Sequence, residues 1–206
     1  RGVTTIVETH TGLILAAAGV DASNTEPGTI LLLPVDSDHS ARRIREQIEE
    51  RAGVSLGVII TYTLGRAWRL GVTDHAIGAA GVTVLDDLTG EPDAFDRTLE
   101  MTIVAVADES AAASELVRPK ASLTPCAMVR GLGDLDSEEH GPGARAIIRP
   151  TDEDLFALGT AEAIALGKER AITDRRTIRS FTHVEVPQRV IQTAIEAAVT
   201  APAPHH

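Results

Sequence analysis

Residues 55–75 read "SLGVIITYTLGRAWRLGVTDH", and the layout of the chain turns on them. Residues 55–61 are apolar almost without a break, which fits a strand buried on both faces. Residues 63–75 then read as a loop rich in Gly, Arg and Thr. Loops that follow a rigid strand are where binding groups collect. Thr61 and Thr63 offer hydroxyls, Arg66 and Arg69 offer planar forks for phosphate, and Asp74 offers a carboxylate. Tyr62, the only tyrosine of the chain, stands among them. The plainer alternative is a solvated turn anchored by Trp68. The density of Arg, Thr and Gly after a buried strand favours a site.

Working outward, "VTTIVET" and "GLILAAAG" are β-like runs around a polar turn at His10, Thr11 and Gly12, a hairpin signal. "GVDASN" follows as a loop, and "GTILLLP" as a buried strand closed by Pro34. "DSDHSARRIREQIEERAG" predicts a helix, capped by Ser37 or Asp38 and ended by Gly53, with Ile44 and Ile48 one turn apart. Leu99, Ile103, Val106, Ser110 and Ala113 predict a long helix from Arg97 to Val117. "TPCAMVRG" reads as a last strand and "GDLDSEEHGPGAR" as a solvated acidic loop. Thr151 and Glu153–Asp154 open a further helix carrying Leu155, Phe156, Leu158 and Ile164. "RRTIRSF" is a basic turn, and "VPQRVIQTAIEAAVTA" an amphipathic helix with Pro187 in its first turn. The expected class is α+β around a mixed sheet, with a boundary near residue 160.

The chain has 206 residues, a 43% hydrophobic content and only 2% aromatics, so its core must be aliphatic. Thirty acidic against 19 basic side chains give a net charge of −11, which argues against a nucleic-acid partner. Phosphate ligands stay open, because a bound cation reverses the local charge. Cys126 is the only cysteine, which suits a reducing compartment. No apolar run approaches the roughly 18 residues of a membrane span. No leader is visible, and a cytoplasmic location is expected. The opening on Arg1 within a strand-like run, and the equally abrupt end, read as a fragment or processed product.

Two further constellations could carry chemistry. In "DASN" a carboxylate, Asp21, and an amide, Asn24, could face one ligand, the first on a hard cation and the second on a phosphate, sugar or base edge. Read from the residues alone, an Asx-turn is the stronger alternative. Residues 175–181 set three arginines in five positions, a phosphate grip or a charged surface strand. His39, His75, His140, His183 and the terminal pair lack metal-ligand spacing, and no HExxH, CxxC or phosphate-loop pattern occurs.

Taken together, "ETHTGLILAAAGVDASN", "LLLPVDSDHSARRIRE", "GVIITYTLGRAWRLGVTDHAIGAAG", "DRTLEMTIVAVADE" and "MVRGLG" resemble the coenzyme F420:L-glutamate ligases, the CofE family, across residues 1–159. "DRRTIRSFTHVEVPQRVIQTAIEAAVTAPAPHH" resembles the opening of an FMN-dependent nitroreductase domain, incomplete over residues 160–206. The pair is similar to bifunctional actinobacterial fusion proteins. The resemblance implies a ligase that uses GTP to make an acyl phosphate on a deazaflavin coenzyme precursor. The amine of L-glutamate then attacks it, and further glutamates follow through γ-linkages. Mg²⁺ or Mn²⁺ and K⁺ would assist, and the parent would be a homodimer. It implies Asp21 and Thr63 as metal ligands and Asn24 as a GTP contact, with catalytic residues unassigned. Tyr62 stands where the family normally has Asp, and Ala67 where it usually has Pro. "VRPKASLTP" departs from the usual Gly-Lys spacing, and nucleotide-binding stretches lie before Arg1 in the family. Arg175, Arg176, Thr177, Ile178, Arg179 and Ala203 match FMN contacts. The competing readings are an FMN-dependent reductase of a dehydro form of the coenzyme, and a binding piece without catalysis.

Overall fold

The computed structural model describes residues 5–65, 69–135, 137, 139–150, 152–154, 158–173 and 184–200. The chain divides into two units, residues 1–154 and residues 155–206. In the first unit the elements run β1 (Ile6–Glu8), β2 (Ile14–Ala16), α1 (Ser37–Ala52), β3 (Val58–Gly65), β4 (Val72–Ala80), β5 (Asp86–Asp87), β6 (Ile103–Val104) and α2 (Val106–Glu115). The class is α+β. The described strands form three antiparallel pairs, β1–β2, β3–β4 and β5–β6, in place of the expected mixed sheet.

The β3–β4 hairpin is the centre of the unit, and α1 and α2 both pack on β4. Its sequence explains why the reading of residues 63–75 as loop fails: β3 continues to Gly65, and β4 begins at Val72. Polar residues at 61, 63, 73 and 74 hid the strands, because these pair across the hairpin, Thr63 with Asp74 and Leu64 with Thr73. A register shift between Ile60 and Thr61 marks a bulge, which bends the strand and re-aims the side chains beyond it.

The core is built from small residues. Ala76, Ala79, Val84, Ala107 and Ala144 are buried together, flanked by Ile59, Val82, Leu85 and Ile147. Small side chains let backbones approach closely. A Cβ added to Gly78 would lie 2.4 Å from the carbonyl oxygen of Ser37, so the start of α1 rests directly on β4.

A second feature of β4 follows from its N–H groups. A strand edge leaves backbone donors that must find partners. Here carboxylates from the helices supply them. Asp74 N–H donates to Glu115 Oε2 (3.0 Å), Ala76 N–H to Asp108 Oδ1 (2.8 Å) and Ala79 N–H to Asp38 Oδ1 (2.8 Å). Asp38 also accepts from Ala144 N–H at 2.7 Å. It is therefore a clamp between β4 and residues 144–145, and the cap of α1 is Asp36, not Ser37 or Asp38. Asp36 accepts from His39 N–H at 2.8 Å, and this bond holds its carboxyl below the usual range. Gly53 closes the helix in the left-handed conformation as expected.

Four other expectations change. The helix predicted from Arg97 begins at Val106, because Asp93 Oδ1 accepts from the N–H groups of Phe95 and Arg97 and turns that segment back on itself. "GTILLLP" holds one bridge, Asp21 to Leu31, and Ile30, Leu31 and Leu32 are exposed, so it is not a buried strand. "TPCAMVRG" has no regular hydrogen-bonded structure and its Met128 is exposed. The helix expected from Thr151 opens at Thr160.

The second unit contributes α3 (Thr160–Thr173) and α4 (Gln188–Thr200). On α4 Val190, Ile191 and Ile195 are exposed, a one-sided apolar stripe at helical spacing. Among the described residues no helix is long and apolar enough to cross a membrane.

Candidate functional site

The bulge turns Thr61, Thr63 and Asp74 onto one face of the hairpin, where they form a network. Thr61 Oγ1 donates to Asp74 Oδ2 at 2.9 Å and Thr63 Oγ1 donates to Asp74 Oδ1 at 2.6 Å. Arg118 Nη2 completes it, at 2.8 Å from Asp74 Oδ2, with the two side chains only 15% and 7% exposed. Arg118 is held in turn by the end of α2, through Ser114 Oγ (2.7 Å) and Ser114 O (3.3 Å). α2 ends at Glu115, and Pro119 bars further helix, so the turn that follows carries Arg118 to the hairpin and Lys120 to the Asp21–Asn24 loop.

The "DASN" loop docks on this segment. Asn24 Nδ2 donates to Lys120 O at 2.7 Å, and Lys120 Nζ lies 3.8 Å from Asp21 Oδ2. Asn24 has φ +52°, a left-handed conformation that Asn tolerates. Between these pieces lies a cleft of about 350 Å³, lined by Asn24, Thr63, Asp74, Arg118, Lys120 and Ser122 among others. Arg118 and Lys120 stand there beside the carboxylates of Asp74 and Glu115, with an amide and hydroxyls, and Asp74 already holds Arg118.

Asn24 and Thr63 thus line one cleft although they are far apart in sequence. Asp21 is outside its lining, 3.8 Å from Lys120 Nζ. The Asx-turn alternative is what forms: Asp21 Oδ1 accepts from Ser23 N–H (2.7 Å) and Ser23 Oγ (2.6 Å). The Ser23 hydroxyl, then the Ser23 N–H, hold the Asp21 carboxyl below the usual range, with Lys120 adding a smaller effect. Arg69 is exposed and outside the cleft lining, and Arg66, Ala67 and Trp68 lie outside the described residues, as do residues 175–179 and 203. Sequence reasoning missed Arg118, Lys120 and Glu115. The usable signal was the helix-ending Arg-Pro-Lys, which places two cations at one turn.

A divalent ion takes several charged or carbonyl oxygens. The Thr63 hydroxyl donates its proton to Asp74 and keeps its lone pairs, and the Asp21 carboxylate accepts from Ser23 and lies 3.8 Å from Lys120 Nζ. Among the described residues no three His, Cys, Asp or Glu side chains come together as a metal group.

Tyr62 pairs with His75 and, by strand alternation, points to the face opposite Thr61 and Thr63. Burial, and secondarily the negative charge of Asp21, raise its pKa above 10. The phenol is therefore neutral through the physiological range. A raised folded pKa contributes stability that is present in full below the unfolded value of about 10 and is lost as pH rises through the folded value. With one tyrosine in the chain, phenolate absorbance reports it alone. The expected titration midpoint is higher in the native protein than in urea, and the difference should shrink in Asp21→Asn. Coincident midpoints would place Tyr62 in open solvent away from Asp21.

The central hairpin and the segment after α2 thus meet at a polar cleft that holds Arg118 and Lys120 beside Asp74 and Glu115. Comparison with known proteins specifies it further. The profile of the family described as F420-0:Gamma-glutamyl ligase matches residues 2–131. A coenzyme F420:L-glutamate ligase of Methanopyrus kandleri is 48% identical over 153 residues, 73% of this chain and 61% of that protein. Those of Methanothermobacter thermautotrophicus and Archaeoglobus fulgidus are each 41% identical, over 73% of this chain and 60% and 59% of their own lengths. The chain belongs to the F420-0:gamma-glutamyl ligase family. It spans about three-fifths of the length of these curated relatives.

Proposed function

We propose that the chain carries part of an amide-forming ligase that joins L-glutamate to the deazaflavin coenzyme F420 precursor at the expense of GTP. The carrying observation is the convergence of Arg118, Lys120, Asn24 and Thr63 on one cleft. In this reading a carboxylate oxygen of the precursor attacks the γ-phosphorus of GTP, and GDP leaves. The neutral amine of glutamate then attacks the acyl carbon, phosphate leaves with the bonding electrons of the acyl C–O bond, and the nitrogen gives up one proton to solvent. Lys120 and Arg118 offset the phosphate charge, and Asn24 orients the nucleotide. Asp74 fixes Arg118. Mg²⁺ or Mn²⁺, with K⁺, belongs to this reading as a companion of the triphosphate, and no step is drawn through a resident ion.

Truncating Lys120 to Ala should raise the KM for GTP by roughly tenfold to a hundredfold, since a charge-assisted contact of this kind contributes about 1.5–3 kcal/mol. Asn24→Ala should act in the same direction and more weakly. Steady-state kinetics at several GTP concentrations make the test. An unchanged KM in both variants would remove the nucleotide from this cleft.

The second reading concerns residues 160–206 as the start of an FMN-binding domain, after a ligase part over residues 1–159. The exposed stripe of Val190, Ile191 and Ile195 supports it, because a helix with such a face needs a partner surface. In this reading Arg175 to Arg179 and Ala203 contact FMN, the reduced substrate is a dehydro form of the coenzyme, and the protein is a homodimer. Flavin absorbance that co-purifies and vanishes in Arg175→Ala would support it. A flavin-free protein that binds no added FMN would end it.

A further inference from the structure

At the wall of the cleft, oxygens from β3, β4 and α2 surround a single nitrogen. Arg118 Nη2 lies 2.7 Å from Ser114 Oγ, 2.8 Å from Asp74 Oδ2 and 3.4 Å from Thr61 Oγ1. Thr61 belongs to β3, Asp74 to β4 and Ser114 to the last turn of α2. Both hydroxyl protons are directed elsewhere. Ser114 Oγ donates to Ala111 O at 2.8 Å, and Thr61 Oγ1 donates to Asp74 Oδ2 at 2.9 Å. A hydroxyl that has placed its one proton offers only lone pairs. The oxygens of Thr61, Asp74 and Ser114 therefore present acceptors to one point, as the surroundings of a hard cation do.

The occupant of that point is the chain's own cation. The side chains of Arg118 and Asp74 are 15% and 7% exposed, so water compensates neither charge well. Asp74 Oδ1 accepts from Thr63 Oγ1 at 2.6 Å, which fixes the way the carboxylate faces. Taking Arg118 away would leave a buried carboxylate without a counter-charge. The rest of the cleft adds to that demand. Asp74 and Glu115 line it, and without Arg118 only Lys120 opposes them. Lys120 is itself shared with Asp21, 3.8 Å from its Nζ. No His or Cys lines the cleft, so the donor set suits an oxygen-preferring ion such as Mg²⁺ or Mn²⁺ and offers a soft metal nothing.

We propose that Thr61, Asp74 and Ser114 form a seat for a hard divalent cation, and that the Arg118 guanidinium fills it as a resident counter-ion. The seat contains neither Asp21 nor Tyr62, and it stands whether or not the chain is a ligase. A metal ion is smaller than a guanidinium, so water completes its shell, as mixed oxygen coordination allows. The guanidinium and the ion exclude each other, because both need the same Asp74 oxygen.

Mn²⁺ binding to the 206-residue chain, followed by electron paramagnetic resonance, tests this. Arg118→Ala should bind Mn²⁺ about tenfold or more tighter than the parent, because the ion meets a buried carboxylate left unpaired. Arg118→Lys should stay near the parent, since an ammonium still carries the charge to the seat. Adding Asp74→Asn to Arg118→Ala should remove the gain, and adding Asp21→Asn should leave it. Mn²⁺ should also raise the urea midpoint of Arg118→Ala more than that of the parent, since the ion binds the folded state. If Arg118→Ala does not fold, Arg118→Gln, whose amide keeps a hydrogen bond to Asp74, takes its place with the same expectations. Superimposed titrations of the parent and a folded variant, or a gain that survives Asp74→Asn, overturn the proposal. Failure of both variants to fold with Mn²⁺ present overturns it as well.

Discussion

Replacing Asp74 with Ala should cost about 3–5 kcal/mol of folding stability, the usual effect of removing one partner from a buried ion pair. The reason is the guanidinium left behind. Arg118 is 15% exposed and has Asp74 as its only carboxylate partner among the described residues. Thr61 and Thr63 lose the acceptor they share, although a hydroxyl can rotate to another. A natural domain has only about 5–15 kcal/mol in total, so the variant should unfold at a much lower urea concentration. Adding Arg118→Met should recover part of the loss, because a neutral side chain of similar length needs no counter-charge. Unfolding midpoints for Asp74→Ala equal to the parent's would mean that the pair is solvated and that the cleft wall is not held by it.

The second large effect is a gain. Tyr62→Asp should create divalent-ion binding that the parent lacks or holds only weakly. The charge of Asp21 raises the phenol's pKa, so a carboxylate at position 62 would feel that same charge and would gain from a cation between the two. Two carboxylates attract a hard cation where one, already shared with Lys120, does not. Mn²⁺ binding followed by electron paramagnetic resonance should tighten about tenfold or more, as expected when a site gains a charged ligand. If the ligase reading holds, GTP-dependent glutamate addition should rise with it at limiting metal. Mn²⁺ titrations that superimpose would separate position 62 from any metal role, in keeping with its side chain facing away from Thr63.

Much of the architecture was legible before the structure was seen. The helix over 37–52 follows from its apolar spacing and from Gly53, and the N-terminal hairpin from two β-like runs around Gly12. The central hairpin was half legible. Its first strand is continuous and apolar, whereas β4 alternates Thr73, Asp74 and His75 before an alanine-rich end, a pattern set by pairing and helix contacts rather than by local preference. The helix predicted from Arg97 shows the opposite failure, where a helical period was present but the Asx chemistry of Asp93 prevailed. For the site, the resemblance brought Asn24 and Thr63 to attention. Arg118 was not visible as a site residue, because its role depends on the turn after Glu115 lying beside a strand more than 40 residues earlier, and that of Lys120 on the same turn meeting Asn24.

The central claim is that the cleft lined by Asn24, Thr63, Arg118 and Lys120 serves GTP-driven glutamate ligation. The most direct measurement is mass-spectrometric product analysis after incubating the deazaflavin precursor, L-glutamate and GTP with the chain joined to the sequence that flanks it in its gene. The account predicts a glutamyl adduct that requires both GTP and glutamate, one GDP and one phosphate released per adduct, and a marked loss of all three in Lys120→Ala. GTP hydrolysis without adduct, or adduct formation indifferent to Lys120→Ala and Asn24→Ala together, would contradict it.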